Sequence, residues 1–248
     1  MSSVSRDEDA AGVAAVSGTK FPKHPRSKHT GTCRVPPPQR PVELALEMAL
    51  DAVRSDPPAK ETLDALGAAA THEGIRLPLL NRHVVVKPEG AGVLVEGDGE
   101  VSPGWAVLVL HYLRAEDVSL DAREVSLAHF PDCRGYVVPF TKRVIGRFLR
   151  TIGKTSESFS QASERLGGTR VSGPGLAYRF DVLPRVPITL ILFEGDDELA
   201  ASANVLFRAD AQRLLPAGTV IAAAELLVGA LCGSPIERKP GEADEKRG

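Results

Sequence analysis

The sequence predicts an α+β protein with one mixed domain, in which helices flank a small central sheet of antiparallel or mixed strands. Two observations support this class. Segments with apolar residues at helical spacing are interspersed with segments whose apolar residues alternate or run unbroken. In addition, the apolar run at 188–193 stops abruptly at an acidic turn. Because both faces of that run are apolar, we expect it to be the central strand.

The predicted elements of the first half, in order, are a helix from Val42 to the prolines at 57–58, a short helix at 61–70, a β-hairpin at 84–86 and 93–95, and a buried apolar element at 105–113. Apolar residues at helical spacing indicate the first helix, and the prolines end it. A glycine-rich turn between two valine-rich runs indicates the hairpin. The periodicity of the buried element does not separate helix from strand.

The predicted elements of the second half are a helix at 141–152 ended by a left-handed Gly153, a helix at 156–166 before two glycines, a half-buried strand at 178–182, the central strand at 188–193, and a last helix capped by Thr219 that continues to Leu231. The 141–152 helix carries one apolar stripe and one cationic face. Alternating apolar and polar residues indicate the half-buried strand.

Composition divides the chain into an arm, a domain and a tail. Residues 1–41 are rich in proline, and between Asp9 and Glu43 this segment has six basic residues and no acidic one. We expect this basic arm to be disordered or to wrap over a partner, because it has little apolar surface to bury. Residues 42–232 form the predicted α+β domain, and residues 233–248 form a charged tail.

The overall charge and the cysteines limit the location and the partners. The 248 residues include 30 basic and 32 acidic ones, a balance that gives no general attraction to nucleic acids or anionic membranes. The apolar runs are far shorter than the roughly 20 residues of a membrane-spanning helix, and the N-terminus does not resemble a signal peptide. Three scattered cysteines, Cys33, Cys133 and Cys232, do not indicate a disulfide framework. We therefore expect a cytoplasmic protein.

Several short motifs follow one another through the domain: Leu110-His111-Tyr112-Leu113, Gly135-Tyr136 leading to Phe140-Thr141-Lys142-Arg143, Leu166-Gly167-Gly168, Leu183-Pro184-Arg185-Val186-Pro187, Glu194-Gly195-Asp196-Asp197-Glu198, and Leu206-Phe207. In these motifs, the chain from about residue 42 to 231 resembles a prokaryotic family of unknown function, the one numbered 3786. The resemblance implies no settled activity. Some members are fused to an iron–sulfur domain of the kind seen with corrinoid proteins, which implies a corrinoid or other tetrapyrrole as a candidate cofactor, in anaerobic or one-carbon metabolism. This chain lacks that cysteine cluster, and Arg208 stands where the family usually has an aspartate.

The most distinctive candidate binding residues are the arginines of the 141–152 helix. Arg143, Arg147 and Arg150 are spaced i, i+4, i+7 and form a row with no acidic residue among them. Such a row suits carboxylate or phosphate groups, since a guanidinium can bind two oxygens, although a solvated surface is the alternative. His111 is a candidate ligand of a metal, haem or corrinoid cobalt, and Tyr136 a candidate pocket residue. Packing in the core is the alternative for both.

Asp196, Asp197 and Glu198 follow the predicted central strand and are candidate metal ligands. The alternative is an acidic turn that ends the strand.

No motif of a familiar catalytic mechanism is present. The sequence therefore favours a non-catalytic accessory protein that binds a partner protein or an anionic cofactor. A metal-dependent enzyme that uses the acidic cluster is one alternative. A structural subunit, held in a larger complex by the basic arm, is another.

Overall fold

The computed structural model describes residues 40–90, 92–96, 99–115 and 122–238. Up to residue 115 the elements are α1 (Arg40–Ser55), α2 (Lys60–Ala65), β1 (Ala69–Thr71), β2 (Gly74–Leu79), β3 (Arg82–Lys87), β4 (Gly92–Val95), β5 (Glu100–Val101) and α3 (Pro103–Leu113). From residue 122 they are β6 (Glu124–Ser126), α4 (Val137–Phe140), α5 (Gly146–Arg150), α6 (Ser156–Arg165), β7 (Thr169–Val171), β8 (Leu176–Leu183), β9 (Val186–Phe193), β10 (Ser202–Arg208), α7 (Ala211–Leu214), α8 (Ala217–Leu231) and β11 (Glu237–Arg238). Residues 1–39 of the predicted arm and 239–248 of the predicted tail lie outside the described residues.

The strands form two antiparallel sheets, which confirms the α+β class. The sequence predicts one central sheet, and the structure has two. The first sheet has the strand order β1-β2-β3-β4-β5-β11, and the second has the order β6-β10-β9-β8-β7. The predicted hairpin is confirmed as β3 and β4, with Val84 opposite Val95. The predicted central strand is confirmed as β9, the middle strand of the second sheet. Ile188 and Leu190 on one face and Ile191 on the other are at most 6% exposed.

The two sheets contribute to one hydrophobic core together with α3 and α8. The backbone N–H of Leu80, at the end of β2, donates to the carbonyl of Val182 in β8 at 3.1 Å. The apolar run 105–113 is helical and belongs to α3. Both α1 and α8 pack against α3, which is therefore buried on nearly all sides. A helix buried on all sides has no polar face to show its period, which is why the sequence left its type open. No helix in the described part of the chain is long and apolar enough to cross a bilayer.

Two predicted helix boundaries are wrong. The helix expected at 61–70 ends at Ala65, and Ala69 and Ala70 belong to β1. The reason is Gly67, whose φ of +70° turns the chain back immediately after the helix. Thr219 does not cap the last helix, because α8 already begins at Ala217. Its buried hydroxyl hydrogen-bonds to a side chain of α3 instead.

Gly153 is not the left-handed stop predicted for the 141–152 helix. It lies in a short 3-10 turn, Ile152–Lys154, and its φ is not positive. The need for a glycine at position 153 comes from packing and not from the backbone conformation. A Cβ at this position would lie 2.7 Å from Cε1 of Phe148, a side chain that is 1% exposed. The glycine therefore allows close packing at the end of α5.

Candidate functional site

The three arginines predicted to form a row lie on one continuous helical segment. This segment runs from α4 through a π-helical turn, Thr141–Ile145, into α5. Phe140, Val144 and Phe148, each at most 3% exposed, hold its inner side against the core. The outer side carries exposed side chains that we call the cationic face: Arg143, Arg147 and Arg150. The π turn contains Arg143, and such turns are frequent at functional sites.

Arg143 is held by Tyr136, so the structure brings together two of the predicted site residues. Nη1 of Arg143 donates to the hydroxyl of Tyr136 at 2.7 Å, and the guanidinium carbon lies 5.9 Å from the ring centroid. The hydroxyl in turn donates to Oε1 of Glu225, in α8, at 3.3 Å. The hydroxyl thus orients Arg143 and lies between its guanidinium and the carboxylate of Glu225, which makes no direct ion pair with Arg143.

Arg147 is also held by a neutral neighbour, and Arg150 lies against its own helix. Nη2 of Arg147 donates to Oγ of Ser234 at 3.0 Å, and its Nη1 lies 3.5 Å from the position that a Cβ on Gly229 would take. Arg150 folds back along its own helix, and its Nη1 lies 3.0 Å from the corresponding Cβ position on Gly146. A side chain at Gly146 would therefore crowd the guanidinium of Arg150, whereas one at Gly229 would make ordinary contact with Arg147.

The cationic face has no acidic partner among the residues that the structure describes. No carboxylate oxygen of those residues lies within 4.0 Å of its nitrogens. Other arginines of the same domain are paired: Arg76 with Glu96 at 2.9 Å, and Arg208 with Asp210 at 2.5 Å. The face is therefore positively charged and partly ordered, and N–H donors of its guanidinium groups face solvent.

His111 lies elsewhere and does not join the cationic face. It is in the last turn of α3, where Nδ1 lies 2.7 Å from Oγ1 of Thr219 in α8. Tyr136 bonds to the same helix at Glu225, which is about 9 Å further along the helix axis. The structure thus places Tyr136 beside the arginine row and His111 at a separate position.

A cleft of about 670 Å³ opens beside His111, between α1, the end of α3 and the segment 212–216. Its wall combines apolar residues, among them Met48, Ala49, Ala52, Leu214 and Leu215, with four polar ones, His111, Arg114, Gln212 and Arg213. Burial lowers the pKa of His111, and the nearby charge of Arg114 lowers it further. Both effects favour the neutral imidazole. We call this region the His111 cleft.

The acidic cluster that follows β9 forms a turn. Oδ1 of Asp196 accepts hydrogen bonds from the backbone N–H groups of Leu199, at 2.8 Å, and Glu198, at 2.9 Å. These bonds hold the pKa of the Asp196 carboxyl below its usual value. No three histidine, cysteine, aspartate or glutamate side chains of the described residues are placed to hold a metal ion. The structure therefore gives Asp196 a role in the turn and does not bring Asp197 or Glu198 to a further ligand.

Sequence reasoning did not identify Glu225, Ser234, Arg114 or Arg213 as parts of either region. Glu225 carried a usable signal, because it is the one charged residue within α8. The other three gave none. Ser234 follows α8 in a turn, and the His111 cleft forms only when segments distant in the chain meet.

Comparison with known proteins identifies the family. The model of a family described as a domain of unknown function (DUF3786) matches residues 59–230, which is more than half of the chain. No curated protein and no solved structure matches. The matched region includes the cationic face, Tyr136 and most of the residues that line the His111 cleft. The chain belongs to the DUF3786 family.

Proposed function

We propose that this protein is a non-catalytic accessory subunit of the cytoplasm that docks an acidic surface of a partner protein onto its cationic face. The proposal depends on one observation: hydroxyl groups position Arg143 and Arg147, and no described carboxylate oxygen lies within 4.0 Å of their guanidinium nitrogens. Two free cysteines in the described region, Cys133 and Cys232, fit the reducing cytoplasm.

The way the arginines are held supports binding of an external anion. An exposed guanidinium that is already paired with a carboxylate would have to give up that partner before binding another. Here the bonds to Tyr136 and Ser234 restrict the two side chains, and neither guanidinium makes a direct ion pair with a described carboxylate. Less side-chain entropy then remains to be lost when a ligand binds, which favours affinity. The planar guanidinium also matches the two oxygens of a carboxylate.

The shape of the face favours a protein over a small molecule. The arginines stand on the outer side of a helix, and neither the His111 cleft nor a neighbouring cleft of about 300 Å³ is lined by them. Small ligands bind mainly in concave sites, whereas charged helix surfaces of this kind suit complementary protein surfaces. His111 is remote from the face, so it gives no support to a tetrapyrrole bound at the arginines with an axial histidine ligand.

The proposal can be tested with a labelled deca-glutamate peptide as a model of an acidic protein surface. Its binding to the full chain is measured by fluorescence anisotropy at low salt, where surface charges are least screened. We expect Arg143→Gln/Arg147→Gln to weaken binding about tenfold, because two exposed charge contacts of about 0.7 kcal/mol each give that factor. Arg143→Lys/Arg147→Lys keeps the charge but loses the planar fork, and we expect an intermediate affinity.

The matched control is Arg165→Gln/Arg170→Gln, which removes the same charge from two other exposed positions. We expect this variant to bind the peptide nearly as well as the unaltered protein. Equal losses in the two double variants would show that only net charge matters, and the proposed docking site would be wrong.

Purification of the tagged protein from the organism that encodes it would then identify the partner. The unaltered protein should retain acidic proteins that the Arg143→Gln/Arg147→Gln variant does not. Absorption spectra of the eluate would reveal a tetrapyrrole if one is carried. A set of retained proteins that is the same for both variants would contradict docking at the cationic face.

A further inference from the structure

The His111 cleft has the size and composition of a site for a small molecule. Its volume of about 670 Å³ lies within the roughly 300–1,000 Å³ of typical ligand sites. It lies between α1, the end of α3 and the segment 212–216; its α1 wall lies outside the region that the family model matches, and the rest of its described lining lies inside. None of the residues of the cationic face lines it. It is therefore a separate candidate site.

The charge of the cleft is positive and lacks a counter-charge in the described region. Arg114 and Arg213 are exposed, and neither makes an ion pair or a hydrogen bond to a described residue. None of the described residues that line the cleft is acidic. His111 is neutral and its ring is fixed by Thr219, so one ring nitrogen remains for a polar contact. Two guanidinium groups at one opening, with no ion pair to the part of the chain that the structure describes, favour an anion.

The opposite wall of the cleft is apolar and continues along α1. Leu44, Met48 and Ala52 are spaced i, i+4, i+8 and share one side of that helix. Met48 is 65% exposed and Leu44 is 57% exposed, which is unusual for large apolar side chains. Leu214 and Leu215 complete the apolar wall within the cleft. An apolar surface beside two free cations matches a ligand with an apolar body and an anionic end.

We propose that the His111 cleft binds a small amphipathic organic anion, with its carboxylate or phosphate group at Arg114 and Arg213 and its apolar body against Met48 and Leu214. The basic arm of the same chain is a poor candidate for the occupant. Between Asp9 and Glu43 it has six basic residues and no acidic one, so Arg114 and Arg213 would repel it. A metal ion is also disfavoured, since the two charged residues among the described lining, Arg114 and Arg213, are cations.

Decanoate and decyl phosphate are suitable probes, because they carry the two kinds of anionic group on the same apolar chain. Their binding to the full chain is measured by isothermal titration calorimetry. Decan-1-ol is the control without charge, and acetate is the control without an apolar body. We expect at least one of the two anions to bind at least tenfold more tightly than decan-1-ol and acetate. If neither anion binds more tightly than both controls, the proposal is wrong.

Two variants then locate the site. Arg114→Gln/Arg213→Gln should weaken binding of the anion at least tenfold and leave the affinity for decan-1-ol unchanged, because both residues are exposed and the fold does not depend on them. Arg143→Gln/Arg147→Gln should leave anion binding unchanged, which separates this proposal from docking at the cationic face. Anion binding that is insensitive to Arg114→Gln/Arg213→Gln would show that the ligand binds elsewhere, and the proposal would be wrong.

Discussion

The hydroxyl of Tyr112 offers a sharp test of how the core is held together. Tyr112 lies in α3 and is 0% exposed, and its hydroxyl donates to the carbonyl of Leu66 at 2.7 Å, at the end of α2. Tyr112→Phe keeps the ring and removes this bond. Leaving a buried carbonyl without its donor costs about 1–3 kcal/mol, so we expect the free energy of unfolding to fall by about 2 kcal/mol.

Tyr178→Phe is the matched control for this prediction. Tyr178 is 2% exposed, but its hydroxyl makes no hydrogen bond to the residues that the structure describes. In a domain of this size, 1 kcal/mol shifts the melting temperature by roughly 2–4 °C, so we expect a decrease of about 4–8 °C for Tyr112→Phe and little change for the control. Calorimetry and urea unfolding measure both. If the two variants lose equal stability, the hydrogen bond to Leu66 does not contribute as argued.

Three further substitutions test local features. Gly229→Ala should raise the free energy of unfolding by about 0.5–1 kcal/mol in a chemical melt, because it lies inside a helix and its added Cβ would meet nothing closer than 3.5 Å. Gly168→Ala should lower that free energy by about 1–3 kcal/mol or more, because its Cβ would lie 2.5 Å from Cε1 of the buried Phe180. His111→Asn should make the melting temperature depend less on pH. Since folding lowers the pKa of His111, the unfolded chain binds its proton more readily, and the native protein should lose stability as the pH falls below about 6.5. Melting temperatures from pH 5 to 8 that run parallel for the variant and the unaltered protein would contradict this last prediction.

The sequence predicted the helices and strands whose type follows from the pattern of their own residues. The strand β9 was identifiable because an unbroken apolar run needs cover on both faces, and the structure provides it. The helix α6 was identifiable from its apolar period, and its predicted glycine end is confirmed by Gly167 with a φ of +81°. The strand β2 was missed although Ile75, Leu77 and Leu79 alternate with Arg76 and Pro78, because a proline inside an apolar run argues against a strand.

The candidate sites were predictable only in part. The arginine row was visible as an unbalanced set of charges within one helix. The partners that orient it were not visible, because Ser234 and Glu225 lie 87 and 89 residues from Arg147 and Tyr136. The position of His111 was not visible either, because it depends on a contact with Thr219, which lies 108 residues away. Contacts over such separations depend on the packing of whole elements, which a local pattern does not encode.

The central claim is that acidic groups bind at the cationic face, and amide chemical-shift mapping tests it most directly. The isotopically labelled full chain is titrated with the deca-glutamate peptide, and the shift of each backbone amide is followed. The account predicts that the largest shifts fall at residues 141–150 and near Ser234, and that they vanish in Arg143→Gln/Arg147→Gln. Largest shifts at any other surface, or unchanged shifts in that variant, would contradict it.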